Sequence, residues 1–283
     1  LGLDLGQGAV KAVRLSPGPG GGWQAEGFLL DRRQEGIVDD EDLATHLPGW
    51  LRDHGLTGCE TVLGVPPDIS RVQVTAFPSD AMKALPAMVA FQTRQLAELS
   101  EGAFLHDHCT MPRRGDGQIA VLIGVCLESL IEDRVGRYAP AVPHLADLGM
   151  NSLGVINAFL DVHPAPSAGQ FVLLLDIGAE STVMAVLNGA EVVFCGSLAC
   201  GVERYRTALA EAAAAPPPAP TPRRPQLRGR APSQGPVADQ AAQALLHEIR
   251  AGLDEWREAH GHPGDGARLS AVWVSGGGAC LPE

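Results

Sequence analysis

The spacing of apolar and polar positions changes several times along this chain, and each change marks an element. Leu1 to Leu5 and Phe171 to Leu175 are apolar runs of strand length, each broken by a glycine turn and resumed by a second apolar run. That pattern predicts two β-hairpins. The first covers about 1–15; a Pro/Gly turn over 16–22 then leads to a third strand, 23–30. Leu43 and Leu47 lie four residues apart, which predicts a helix over 40–47. Pro48-Gly49 is expected to kink or end it, with one further turn over 50–54. A strand over 61–65 stops at Pro66-Pro67.

The texture then changes. The pattern predicts a strand over 71–77, a helix over 80–99 kinked near Pro86, and a short segment near Phe104. A strand over 119–126 and a helix over 127–138 follow. The first pattern resumes afterwards, so 70–148 reads as an inserted block, with a closing strand over 142–148. A helix over 151–160 leads into the second half. There, strands over 171–175, 183–187 and 191–196 form a meander, with Asn188-Gly189 as a hairpin turn. A helix over 202–215 precedes 216–236, which carries eight prolines with Arg, Gln and Ser and is expected to be a disordered linker. A long helix over 237–260 is periodic in Ala241, Leu245, Ile249, Leu253 and Trp256. The last strand, 269–274, ends in Ser275-Gly276-Gly277-Gly278-Ala279.

The 283 residues can hold two domains, each with its own core. No run approaches the ~20 apolar residues of a membrane-spanning helix. Leu1 begins inside a strand and Glu283 follows a glycine cluster, so the sequence is expected to be cropped at both ends. A net charge of -12 argues against nucleic acid as a partner. The one basic cluster, Arg223, Arg224, Arg228 and Arg230, sits among prolines without aromatics and reads as part of a solvated linker. Six scattered cysteines without a C-x-x-C fit reduced thiols in a cytosolic protein. His106-Asp107-His108-Cys109 has no second ligand pair and does not read as a zinc site.

The chemistry concentrates in the glycine turns. Asp4-Leu5-Gly6-Gln7-Gly8 is echoed by Asp176-Ile177-Gly178-Ala179-Glu180, 172 residues later. Glycine lets the backbone approach a ligand and turns N–H groups toward an anion. An aspartate at the strand end suits a divalent cation held through water. Two such hairpins suggest a duplicated fold that clamps one polyphosphate from both sides. The terminal triple glycine adds bare backbone against which a nucleotide sugar and α-phosphate can lie.

With these three turns in this order, the chain resembles the superfamily of actin, heat-shock chaperone ATPases and sugar kinases. Within it, Leu175-Asp176-Ile177-Gly178-Ala179-Glu180-Ser181-Thr182 resembles PilM, the actin-like family of type IV pilus assembly, more than the broad D-x-G-x-G-x-T pattern. Arg71-Val72-Gln73-Val74, leading through Pro78 toward Arg94-Gln95-Leu96, resembles that family's inserted 1C subdomain. The stretch from Val274 to Pro282 resembles its G-G-G-x-x-L tail. The resemblance implies an α/β actin-like fold, a duplicated ribonuclease H-like unit with a 1C-type insertion and a reduced IIB subdomain. Its domain 1A would cover 1–69 and 149–169, the 1C-like block 70–148, and domain 2 the stretches 170–215 and 237–283.

The same resemblance implies ATP with Mg²⁺ as cofactors. Asp4 and Asp176 would hold the cation through water, and Lys11 would reach the phosphates. Gly6, Gln7, Gly8, Gly178, Glu180, Ser181 and Thr182 would line the phosphate turns, with Gly276, Gly277 and Gly278 under the adenosine. It further implies a cytoplasmic scaffold at the inner face of the inner membrane, recruiting a PilN-like membrane protein by its tail and possessing at most weak ATPase activity. Self-association as a homo-oligomer is the other partner it brings. The alternatives are an FtsA-like division protein, a GspL-like secretion scaffold and a small-molecule kinase. Several departures bear on activity: Gln7 replaces a usual Ser or Thr, and Glu180 stands where the broad pattern has Gly. Gly149 and Asn151 stand where acidic residues are usual, and the wall of the cleft between the last two turns is shrunken.

Overall fold

The computed structural model describes residues 1–32, 37, 39–97, 102–111, 117–164, 166–214, 236–259 and 268–280. Of the expected linker at 216–236, residues 216–235 and the four arginines among them lie outside these residues, as do 281–283, and Pro236 begins a helix. The chain opens with strands β1 (Gly2–Leu5), β2 (Ala9–Pro17) and β3 (Trp23–Arg32), helix α1 (Asp40–Asp53) and strand β4 (Thr61–Val65). Helix α1 starts where the Asp39 carboxylate accepts from the N–H groups of Glu41 and Asp42, each at 2.9 Å. It runs through Pro48 in one piece instead of stopping there. Leu43, Leu47 and Leu51 share one face and are buried against Leu3, Leu5, Val10 and Leu63, which outweighs the one hydrogen bond that proline deletes.

The inserted sheet comes next. Strand β5 (Ser70–Pro78) leads through a 3-10 turn at Ser79–Ala84 into helix α2 (Leu85–Ala97). Pro86 therefore lies in the first turn of α2, where a missing N–H costs nothing, and it does not kink a longer helix. The segment near Phe104 is a full strand, β6 (Phe104–Thr110), paired antiparallel with β7 (Gln118–Leu127), which also pairs antiparallel with β5. Both faces of β7 are buried, as its unbroken apolar run requires.

Helix α3 (Glu128–Tyr138) and strand β8 (Leu145–Met150) belong to the first sheet, not to the inserted block. Strand β8 pairs in parallel with β4, giving the order β3-β2-β1-β4-β8. Tyr138, Ala141 and Val142 close the same core as Leu3 and Leu63. The block expected over 70–148 thus contributes its own sheet only as far as Leu127, because residues 145–150 find their hydrogen-bond partners on β4. Helix α4 (Asn151–Val162) then crosses to the second half, where Ile156 is buried with Val172, Leu174, Ala185 and Leu187.

The second half repeats the first. Strands β9 (Phe171–Ile177), β10 (Thr182–Asn188) and β11 (Glu191–Leu198) form the meander. Helices α5 (Glu203–Ala214) and α6 (Pro236–Ala259) and strand β12 (Leu269–Ser275) follow, and the sheet order is β11-β10-β9-β12. Ile249 and Trp256 of α6 pack on Leu173, Leu175, Met184 and Val186. Among the described residues no helix is long and apolar enough to cross a membrane.

Candidate functional site

The two glycine turns are built alike. The N–H of Gly6 donates to the Ala9 carbonyl at 3.1 Å, and that of Gly178 to the Ser181 carbonyl at 2.9 Å, the same bond 172 positions apart. These two amides therefore close their own turns, while Gln7, Gly8 and Glu180 at the tips are exposed. The turns face one another: a Cβ placed on Gly8 would stand 3.3 Å from the Ala179 Cβ. Any larger side chain at position 8 would fill the gap between them.

Charge gathers on the first side. Lys11 Nζ donates to Asp4 Oδ2 at 2.9 Å, because β2 sets Lys11 directly opposite Asp4 in the hairpin. Asn151 Nδ2, from the start of α4, donates to Asp4 Oδ1 at 2.9 Å. Burial alone lowers the Lys11 ammonium, but the Asp4 carboxylate, by charge and by hydrogen bond, and the charge of Asp176 outweigh it. The group ends above its ordinary 10.5.

On the second side, Ser275 Oγ donates to Asp176 Oδ1 at 2.8 Å. The third glycine turn is pressed against the second. Gly276 has φ +84°, and a Cβ there would collide with the Ile177 carbonyl and approach Asp176 Oδ1. Gly278 lies against the Ile177 and Val202 side chains, whereas the space around Gly277 is open. The chain before α5 locks the second turn from behind. The N–H of Val202 donates to the Gly178 carbonyl at 3.0 Å, and that of Glu203 to the Ala179 carbonyl at 2.9 Å.

The structure thus brings together Asp4, Gly6, Gln7, Gly8 and Lys11 with Asp176, Gly178, Glu180, Ser181 and Gly276 to Gly278. It does not bring Thr182 to the cleft surface. Thr182 is fully buried, and its hydroxyl donates to the Cys200 carbonyl at 2.7 Å, so it holds β10 to the loop before α5. Two contributors, Ser275 and Gly64, escaped the sequence reading of the site, in which Asn151 figured only as a departure at a usually acidic position. Asn151 and Ser275 each hydrogen-bond a cleft aspartate, and Gly64 leaves room for Asn151 beside the Leu3 carbonyl. A lone glycine inside the strand pattern 61–65 was the available signal for a close approach.

The donor set suits a polyphosphate with a hydrated cation. Each Asp4 oxygen accepts one N–H and, as a carboxylate oxygen, keeps capacity for a water-held cation. Among the described residues no three His, Cys, Asp or Glu side chains converge. The glycine turns supply bare backbone on both sides.

This is the actin-like α/β fold: two sheets that share the order of four strands, a glycine turn after the first strand of each, and a third turn closing the cleft. A solved chain of a PilM-PilN type IV pilus biogenesis complex matches 98% of this chain and 81% of its own length, with 16% identity and a TM-score of 0.72. The cytoplasmic domain of EpsL, from the type II secretion system of Vibrio cholerae, matches 87% of this chain and 94% of its own. Its identity is 11% and its TM-score 0.42. The archaeal actin homolog Ta0583, solved with ADP, matches 98% and 86%, with 16% identity and a TM-score of 0.41. The first of these defines the fold. No family model matches the sequence, and no curated protein matches it either.

Proposed function

We propose that this chain is an actin-like, ATP-binding scaffold of a cytoplasmic assembly platform at the inner membrane, of the type IV pilus or a related secretion system. It would recruit a PilN-like membrane protein through that protein's cytoplasmic tail. The observation that carries this reading is the likeness to the PilM-PilN chain, which extends over nearly the whole sequence and so takes in the inserted sheet as well as the cleft.

Within the cleft, Lys11 and the two facing turns would bind and orient the phosphates, and Asp4 and Asp176 would hold a hydrated Mg²⁺, which would supply charge neutralisation. Gly276 and Gly277 give the nucleoside a surface without side chains. Turnover is slow in this reading. The group touching Asp4 from α4 is the amide of Asn151, which cannot take a proton from an attacking water. Binding without efficient hydrolysis suits a scaffold better than a motor or a kinase.

Calorimetry tests the nucleotide half of this reading. Asp176→Ala removes one of the two carboxylates that would hold the cation, and Mg-ATP affinity is expected to fall at least about 10-fold, equivalent to ~1.4 kcal/mol. Equal affinity in the variant and the parent would refute the assignment of Asp176.

A further inference from the structure

Arg134 is a charged side chain that the first half buries almost completely. It shares the inner face of α3 with Ile131 and Tyr138, and only 6% of it is exposed. Its Nε donates to the Gly64 carbonyl at 3.0 Å, and its guanidinium carbon stands 5.2 Å from the centre of the Tyr138 ring. Its Nη2 is buried and has no hydrogen-bond partner among the described residues. Burial lowers the group from its ordinary 12.5, while Tyr138 and then Asp40, Asp4 and Asp68 act the other way, and it stays a cation at neutral pH. Burying a cation with an unpaired donor is costly, and a methionine or leucine fills such a space at less cost. The core alone gives no reason for an arginine here.

The reason lies on the other side of Gly64. Strand β4 pairs with β1 at Val62 and Leu63, so Gly64 is the first residue past that pairing, level with Asp4 in the register. Its partner on β8 is Gly149, so no side chain from either strand steadies this point of the sheet. The missing side chain of Gly64 makes room for Asn151: a Cβ there would collide with the Asn151 amide and stand 3.2 Å from the Leu3 carbonyl. Asn151 Nδ2 in turn donates to Asp4 Oδ1 at 2.9 Å. Arg134, Gly64, Asn151 and Asp4 thus form one continuous row from the core to the cleft.

We propose that Arg134 is a positioning residue of the cleft: it pins the Gly64 carbonyl and so fixes where Asn151 and Asp4 stand. In this role, which rests on the cleft being a Mg-ATP site, Arg134 touches neither cation nor phosphate. It acts from behind the group that would hold the hydrated cation, as partners that orient metal-holding side chains do. Arginine suits the task better than lysine. The guanidinium is a planar fork, and the Tyr138 ring, itself 0% exposed, fixes the direction in which Nε points. A lysine ammonium carries the same charge without that direction.

Arg134→Met keeps the length of the side chain and removes both charge and donor. Because an unpaired buried cation leaves, the melting temperature should stay within a few degrees of the parent or rise. Mg-ATP affinity, read by calorimetry, should nevertheless fall on the order of 10-fold. Arg134→Lys should recover part of that loss, and it carries the same test if the methionine variant does not fold. In Asn151→Ala the row is already broken, so adding Arg134→Met should weaken binding by less than about 2-fold more. A further arm needs no nucleotide. The side-chain amide signals of Asn151 in NMR spectra, assigned by their absence from Asn151→Ala, should shift in Arg134→Met. Unmoved signals overturn the role of Arg134 whatever the cleft binds. So do losses of affinity that add in full to those of Asn151→Ala, or a melting temperature that falls in step with affinity, which would make Arg134 a core residue only. A parent protein without Mg-ATP affinity refutes the proposed function instead, and the Asn151 signals then decide alone whether Arg134 positions Asn151.

Discussion

Asp4 is where the chemistry of the cleft is decided. One of its oxygens accepts from an ammonium and the other from an amide, both at 2.9 Å. A carboxylate held this way can orient the shell of a cation, and its neighbour from α4 is an amide, which cannot act as a base. Asn151→Asp restores a carboxylate beside it and is expected to raise phosphate release from ATP by about 10-fold or more, within the range that a placed general base supplies. A phosphate-release assay with the parent as baseline checks this, and an unchanged rate would mean that Asn151 acts only as a support for Asp4. The pair with Lys11 has its own signature. Its ammonium is raised above 10.5 in the folded state, so the pair's contribution to stability is fully present below that value and is lost as pH rises through the higher folded value. The stability difference between parent and Lys11→Met should stay flat from about pH 6 to 9 and narrow only above 10.5. The contribution itself is small, since the Lys11 side chain is 40% exposed and screened by water.

At the scale of elements, the local signals named most of the strands and helices, and the misses have physical causes. Glycine turns, Asn188-Gly189 and the alternation of apolar residues are local chemistry, so the hairpins and the meander were legible in the sequence. The position of β8 was not, because pairing with β4 is a contact made more than 80 residues away in the chain. The helix through Pro48 was missed because tertiary burial of Leu43, Leu47 and Leu51 overrides a local breaker. The aspartates and glycines of the cleft were visible as a repeated motif, whereas Asn151 reaches Asp4 across 147 positions and only the fold reveals it. Thr182 looked like its turn neighbours in sequence, but the strand pleat turns it inward. One element-scale contact invites a direct test. Gly201 sits with its Cβ position against the Ala179 carbonyl, so α5 can pin the second turn only if residue 201 has no side chain. Gly201→Ala is expected to cost roughly 1–3 kcal/mol of stability, as overpacking against backbone does. It should also weaken Mg-ATP binding, read by denaturant unfolding and calorimetry on the same sample. Loss of stability with unchanged affinity would separate the support of the turn from its ligand role.

The whole molecule gives more of itself to the inserted sheet than a phosphate cleft needs. Strands β5, β6 and β7 with α2 form a separate core around Phe77, Val89, Val121 and Ile123, and β5 also packs Val72 into the core of the second half. In the proposed function, this unit, which packs against the second half through Val72, is where an extended tail would dock. Main-chain hydrogen bonds at a sheet edge give affinity, and apolar side chains in pockets give selectivity. The tail loses conformational entropy when it orders, so micromolar affinity, about -8 kcal/mol, is the expected range. Titration of a synthetic PilN-type cytoplasmic tail against the protein, followed by calorimetry or fluorescence, should give saturable one-to-one binding. A scrambled peptide of the same composition should give none. Assembly of the protein into filaments as its concentration rises, without peptide binding, would instead assign the inserted sheet to contacts between copies, as in an actin-like polymer. The cleft variants separate the two ideas further. If nucleotide and tail are coupled, Asp176→Ala should change tail affinity as well, by the same factor that the tail changes nucleotide affinity in the parent. Independence of the two equilibria would leave the scaffold intact and remove the nucleotide as its regulator.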